Sequence, residues 1–267
     1  MQMIATIEQL ATTLGVPQGE LYYLCSRADS LYTLKQEPKK NGGIRNIHAP
    51  SRRLKFVQKK LLKKVLLNIP VPKEIGASKG SSPKLQMRHH VGKKMLMTLD
   101  ISDFFPSIQH YRVTRLLTDR GFPKTVAKFI SRLCTYKGSV PQGAPTSTQI
   151  ARIIMTPMYR RIENLFRGTP LNITVWVDDI AISGPHSVQN KVQTIKDIVK
   201  SCGFSINDKK VHFMPDTGEQ CALGIRVDHG KLEPDSEFMR KFNNARCGGA
   251  EDKSLHGMRK YRQYIMS

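Results

Sequence analysis

Residues 172–183 read NITVWVDDIAIS. Two aspartates, Asp178 and Asp179, stand side by side in a run of β-branched, aromatic and aliphatic residues, in a chain with 43 Lys and Arg against 21 Asp and Glu. Neighbouring side chains on a strand point to opposite faces, so the pair is expected at a tight turn between two strands. A third aspartate, Asp100, lies in MLMTLDI (residues 95–101), an apolar run that also reads as a strand. Carboxylates gathered in apolar surroundings repel one another and are costly to bury unless neutralised. Magnesium prefers a few carboxylates together with substrate phosphates. Two such ions about 3.5–4 Å apart can activate an attacking oxygen and stabilise a leaving one in phosphoryl transfer. The bland alternative makes Asp178-Asp179 an ordinary hairpin turn and Asp100 the cap of the helix that follows.

Around this stretch the bulk properties narrow the field. The 267 residues, 39% hydrophobic, suffice for one large domain or two smaller ones. No apolar run approaches the roughly 20 residues of a membrane span. The opening MQMIATIEQLATTLG does not read as a signal peptide. The five cysteines are scattered and never form a C-x-x-C pair, which argues against a zinc site or disulfide framework. A cytoplasmic protein with reduced thiols is the expectation. Charge is concentrated: from Lys35 to Lys94 there are 17 basic residues and 2 acidic ones, +15 of the formal +22. A basic footprint of this size fits a nucleic-acid backbone.

The elements alternate. Residues 4–30 read as two short helices broken at Gly15–Gly19, and KKNGGIRNIHAP (39–50) as a hairpin. Residues 51–70, SRRLKFVQKKLLKKVLLNIP, form a helix capped by Ser51 and stopped at Pro70. Leu54, Val57, Leu61 and Val65 make its apolar stripe. Arg52, Arg53, Lys55, Lys59, Lys60, Lys63 and Lys64 are the candidate phosphate contacts. After strand 95–101 a helix is expected to run past HYRVTRLL to Gly121. Pro123–Cys134 reads as another, and residues 150–166 as a helix interrupted near Pro157. Residues 187–206 form a helix and short strand, 221–233 a hairpin, and the segment from Pro234 is weakly patterned. The class is α+β or α/β.

At this point the sequence resembles the reverse transcriptases, the bacterial retron type in particular. LDISDFFPSI (99–108) is similar to the family's first catalytic motif and VPQGAPTST (140–148) to its second. WVDD occupies the place of the family's tyrosine-x-Asp-Asp, with Asp178 lying 78 positions after Asp100. PKKNGGIRNIHAPSRRLKFVQ (38–58) looks like the fingers hairpin and its helix, and GFSINDKK (203–210) with the ALG…GK hairpin like the later palm motifs.

The resemblance implies a right-hand polymerase with fingers and palm around an antiparallel sheet and a short helical thumb. Its parts are an N-terminal extension (1–34), a basic fingers region (35–99), a palm (100–235, within a reverse transcriptase domain of about 35–235) and a partial thumb (236–267). Asp100, Asp178 and Asp179, with the Ile101 carbonyl, would hold two Mg2+ ions, for which Mn2+ can substitute. Lys40 and Arg45 would hold the incoming deoxynucleoside triphosphate, as suits a point charge and a guanidinium fork. Asp103 and Phe104 would lend backbone amides to the phosphates, Phe105 would be the steric gate under the sugar, and Gln142 and Gly143 would line the nucleotide pocket. Lys210 would donate a proton to pyrophosphate. The partners implied are a structured noncoding RNA as template and primer, its DNA product and an effector protein in defence against phage.

The sequence departs from the pattern in places. Trp176 replaces the tyrosine before x-Asp-Asp, and Thr148 and Arg152 replace a proline and an asparagine. MRHHVGKK (87–94) keeps only His90 of the retron Asn-Ala-x-x-His segment, and Ala222-Leu223-Gly224 replaces Val-Thr-Gly, closer to intron-encoded relatives. SLHGMRKYRQYI (254–265) resembles only the start of a thumb. The alternatives are another bacterial reverse transcriptase of intron or defence lineage, a catalytically silent RNA-binding scaffold, and an RNA-copying polymerase, which the aromatic at 105 disfavours.

Overall fold

The computed structural model describes residues 4–38, 42–228, 230–247 and 252–267. In chain order, α1 (Ile7–Leu14) starts on Thr6, whose hydroxyl accepts from the Gln9 N–H. It ends on Gly15 in the left-handed region, and α2 (Gln18–Ser26) follows. Strands β1 (Tyr32–Pro38) and β2 (Ile44–Pro50) pair antiparallel from Tyr32↔Pro50 to Pro38↔Ile44. Helix α3 (Arg52–Lys64) is capped by the Ser51 hydroxyl. Next come α4 (Pro83–Arg88), β3 (Met95–Asp100), α5 (Phe104–Ser107), α6 (His110–Thr118), α7 (Lys124–Cys134) and α8 (Ser147–Leu165). β4 (Asn172–Trp176), β5 (Asp179–Gly184), α9 (Val192–Ser201) and β6 (His212–Pro215) follow, then β7 (Gln220–Ala222), β8 (Ile225–Asp228), β9 (Lys231–Pro234), α10 (Ser236–Cys247) and α11 (Asp252–Met266).

These elements fall into two compact units. One comprises Met1–Pro72 with Asp103–Thr156. Its helices bury Leu10, Leu14, Leu21, Leu24, Leu54, Val57, Leu61 and Ile130. The hairpin is anchored at its base: Gln58 Nε2, fully buried on α3, donates to the Tyr32 hydroxyl at 2.8 Å and to the Leu133 carbonyl at 2.9 Å. Tyr136 packs its ring against both Tyr32 and His48.

The other unit comprises Lys73–Ser102 with Pro157–Ser267. Its main sheet is antiparallel, in the order β4-β5-β3-β6. The outer edge of β4 is covered by residues 74–76, which pair with Val175 in parallel. A second sheet, β7-β8-β9, shares a core with the first through Leu96, Ala181, Ile225 and Leu232, joined by Met87 of α4 and Ile265 of α11.

Two expectations need correction. The helix expected from the first motif to Gly121 is two helices, α5 and α6. The Ile108 carbonyl accepts from Val140 N–H and the His110 N–H donates to Gly138, so the 136–140 turn pulls the chain out of helical hydrogen bonding between them. Pro157 does not interrupt α8, which continues to Leu165. Its ring sits on the exposed side of the helix. The weakly patterned segment after Pro234 is helical, as the resemblance to a short thumb implied: α10 and α11, where Phe238 stacks on Phe242 and packs at a tilt against Tyr261.

Candidate active site

The three aspartates meet at one end of the main sheet. The β3–β5 register places Asp100 directly opposite Asp179, and the β4–β5 register places Trp176 opposite Asp179. The two-residue turn is therefore Val177-Asp178, and Asp179 is the first residue of β5, not a turn residue as the doublet suggested. Val177 has φ 59°, and Asp178 is not in that region. A left-handed first turn position is where hairpins normally use glycine, and a β-branched residue there is strained. The turn is held by the Asp178 carbonyl, which accepts from the Ile101 N–H at 3.0 Å. The 203–210 segment holds the end of β3: the Asn207 N–H donates to the Asp100 carbonyl at 2.8 Å, and the Ser102 N–H to the Ser205 carbonyl at 2.8 Å.

The electrostatics are those of crowded acid beside one base. The Asp179 carboxyl is pushed up to about 7, first by the protein around it, then by Asp178 and Asp100. By accessible surface the Asp179 residue is nonetheless exposed at the start of β5, so the repulsion from Asp178 and Asp100 is the firmer part of that direction. Lys210 Nζ lies 2.8 Å from Asp100 Oδ1, and that hydrogen bond raises the ammonium above the ordinary lysine value. Among the described residues no three His, Cys, Asp or Glu side chains are gathered closely enough to ligate an ion. The donor set nevertheless fits a hard divalent cation: oxygen only, excess negative charge, and a lysine ammonium on the oxygen such an ion would claim.

The remaining nucleotide-binding candidates, apart from Lys40, belong to the other unit. Lys40 lies outside the described residues. Arg45 is exposed on β2, paired in register with Glu37. Asp103 caps α5 with φ 44°, Phe104 is buried, and Phe105 is half-buried with its ring 5.4 Å from that of Phe104. The Gln142 carbonyl accepts from the His48 N–H at 2.8 Å. Gly143 has φ 117°, and a Cβ there would lie 2.7 Å from Ile47 Cγ2 and 3.1 Å from the His48 carbonyl. Its close approach is to β2, which suffices to demand glycine.

The basic face of α3 divides in two. Arg53 Nε donates to Glu20 at 3.0 Å, Lys60 Nζ to the Gly15 carbonyl at 2.9 Å and Lys64 Nζ to the Thr13 carbonyl at 2.8 Å. These three brace α3 against α1 and α2. Arg52, Lys55, Lys59 and Lys63 lie roughly 100° further round the helix. They are exposed and make no ion pair among the described residues.

A family model described as reverse transcriptase (RNA-dependent DNA polymerase) matches residues 37–227. The chain belongs to the reverse transcriptase family. Retron Mx65 reverse transcriptase of Myxococcus xanthus is 31% identical over 248 residues, 84% of this chain and 58% of that protein. Retron Ec86 reverse transcriptase of Escherichia coli is 27% identical over 257 residues, 92% of this chain and 78% of that protein. These relatives make the chain a retron-type member, one that spans little more than half the length of the Mx65 protein. In fold it is similar to telomerase from Candida albicans, solved with a fragment of telomeric RNA: TM-score 0.56 and 12% identity over 77% of this chain and 46% of that one. Among the described residues no helix is long and apolar enough to cross a membrane.

One retained position of the retron-type pattern and one departure from it have a structural account. His90 is fully buried, with Nδ1 2.7 Å from the Ser183 hydroxyl and Nε2 2.8 Å from that of Thr174, so it ties β4 to β5 behind the aspartates. Burial pushes its imidazole down to about 3. Arg152 is buried on α8, where its Nη1 donates to Gln149 Oε1 at 2.6 Å, and Gln149 Nε2 donates to the Leu66 carbonyl. The sequence reading missed Asn207 and Ser205 as supports of Asp100, although GFSIND, directly after a helix closed by glycine, was the available signal.

Proposed function

We propose that the chain supplies the polymerase part of an RNA-directed DNA polymerase of retron type, which extends DNA on a structured noncoding RNA. The observation that carries this reading is the meeting of Asp100, Asp178 and Asp179 at one sheet end, in family motif order, with Asp179 pushed toward protonation by desolvation and by its acidic neighbours. Asp100, Asp178, Asp179 and the Ile101 carbonyl would hold two magnesium ions. When bound, such ions would supply activation of the attacking 3′ oxygen and stabilisation of the leaving one. Lys210 would give a proton to the leaving pyrophosphate; its hydrogen bond to Asp100 keeps it in the protonated form, which supports that role.

For the other nucleotide contacts the support is motif position. Lys40 and Arg45 would grip the triphosphate, the Asp103 and Phe104 amides would meet its phosphates, Phe105 would exclude a ribose 2′-hydroxyl, and Gln142 and Gly143 would border the nucleotide. The exposed stripe Arg52, Lys55, Lys59 and Lys63 is proposed as the RNA contact. A part in defence against phage with an effector protein rests on the retron relationship alone.

The test is primer extension on an RNA template with magnesium or manganese. Asp178→Asn should lose roughly a thousandfold or more. Near-normal extension by that variant would leave the RNA-binding scaffold as the better reading.

A further inference from the structure

We propose that Gly76 is a positioning residue for the Val177-Asp178 turn, acting through the ring of Trp176; this deepens the polymerase reading and rests on it. Residues 74–76 form the outer border of β4: the Val175 N–H donates to the Glu74 carbonyl at 2.9 Å and the Gly76 N–H to the Val175 carbonyl at 2.7 Å. The next side chain, Trp176, lies against Gly76. A Cβ at position 76 would sit 2.5 Å from Trp176 Cε3 and 2.9 Å from Cζ3, with Gln86 Cδ at 3.1 Å. Gly76 is buried and its φ lies outside the left-handed region. Backbone conformation therefore does not demand glycine here; the indole does.

The consequence reaches the aspartates by register. Trp176 is paired with Asp179 and is the last residue before strained Val177. Trp176 and Asp179 both border a cavity of about 100 Å³, together with Thr98, Thr174, Cys221 and Leu223. A methyl group at 76 cannot be absorbed in place, because packed interiors relax little. The ring moves instead, and the cavity beside Asp179 is open space for it. Gly76 thus keeps the indole off the Asp179 carboxylate and holds the end of β4 where the turn needs it. The wide fused ring that replaces the family's tyrosine and the missing side chain at 76 are two halves of one fit.

Trp176 is the only tryptophan in the chain, so intrinsic tryptophan emission reports this contact alone. In the full chain, Gly76→Ala should shift the emission maximum and change quenching by acrylamide. It should also raise several-fold the manganese concentration that half-quenches Trp176, and lower kcat for primer extension roughly tenfold with KM for the nucleotide little changed. A phenyl ring is narrower than indole, so kcat of Gly76→Ala/Trp176→Phe should match that of Trp176→Phe alone. Unchanged emission, quenching and kcat in Gly76→Ala would overturn the proposal. So would a double variant that regains the melting temperature of Trp176→Phe without its kcat, since that is packing and not positioning. The emission and manganese readings need no polymerase activity, so they decide this inference even if Asp178→Asn keeps extending primers and the polymerase reading fails.

Discussion

Lys210 Nζ is 2.8 Å from Asp100 Oδ1 although 110 residues separate the two. The ammonium occupies the carboxylate that a metal ion would need, and it is itself half-exposed. Solvent at the lysine end screens the pair, while the Asp100 side chain is only 14% exposed, so Lys210→Ala should lower the melting temperature slightly. Removing the positive charge should tighten manganese binding a few-fold, read by quenching of Trp176. Primer extension should nevertheless slow by roughly a hundredfold, the usual worth of a positioned proton donor. Manganese affinity that stays constant would show that the lysine does not compete for Asp100.

The two stripes of α3 should separate in experiment. Replacing Arg52, Lys55, Lys59 and Lys63 by alanine should weaken RNA binding across unrelated sequences. If each residue meets one phosphate, the log–log salt slope should flatten by about 3. Replacing Arg53, Lys60 and Lys64 should instead lower the melting temperature, because it cuts three ties to α1 and α2. Equal losses of RNA affinity from both sets would show that the bracing residues also reach the nucleic acid.

Phe105 is half-buried beside buried Phe104. Phe105→Ala should retain DNA synthesis but admit ribonucleotides far more readily. The ratio of kcat/KM for a deoxynucleotide and its ribose counterpart measures this, because it reports differential transition-state binding. A folded, active variant with the wild-type ratio would make Phe105 a packing residue and would undo the roles given to Asp103 and Phe104.

His90 gives the fold a pH dependence of known sign. Its folded-state value, about 3, lies below the ordinary histidine value near 6.5. Below that ordinary value the unfolded chain binds a proton that the folded chain refuses. Its contribution is therefore intact above pH 6.5 and is lost by about 1.4 kcal/mol per pH unit as the pH falls toward 3. Denaturant titrations at pH 7 and pH 5 should show a smaller acid loss in His90→Gln than in wild type. Parallel losses would place the acid sensitivity elsewhere.

The sequence alone determined the family and named the residues on which the proposed chemistry rests. Asp100, Asp178 and Asp179 carry their meaning through residue type, order and spacing. The amphipathic period of α3, the Ser51 cap and the glycines of the loops are local signals, legible because helix and turn formation depend on near neighbours. Only the tertiary structure decided that Asp179 belongs to a strand opposite Asp100, and that Gly76 makes room for Trp176. It alone showed that His90 ties Thr174 to Ser183, and that three of the seven basic residues of α3 brace it against α1 and α2. Each of these joins residues tens of positions apart, and which of them touch is set by strand register and side-chain packing, for which local periodicity has no counterpart.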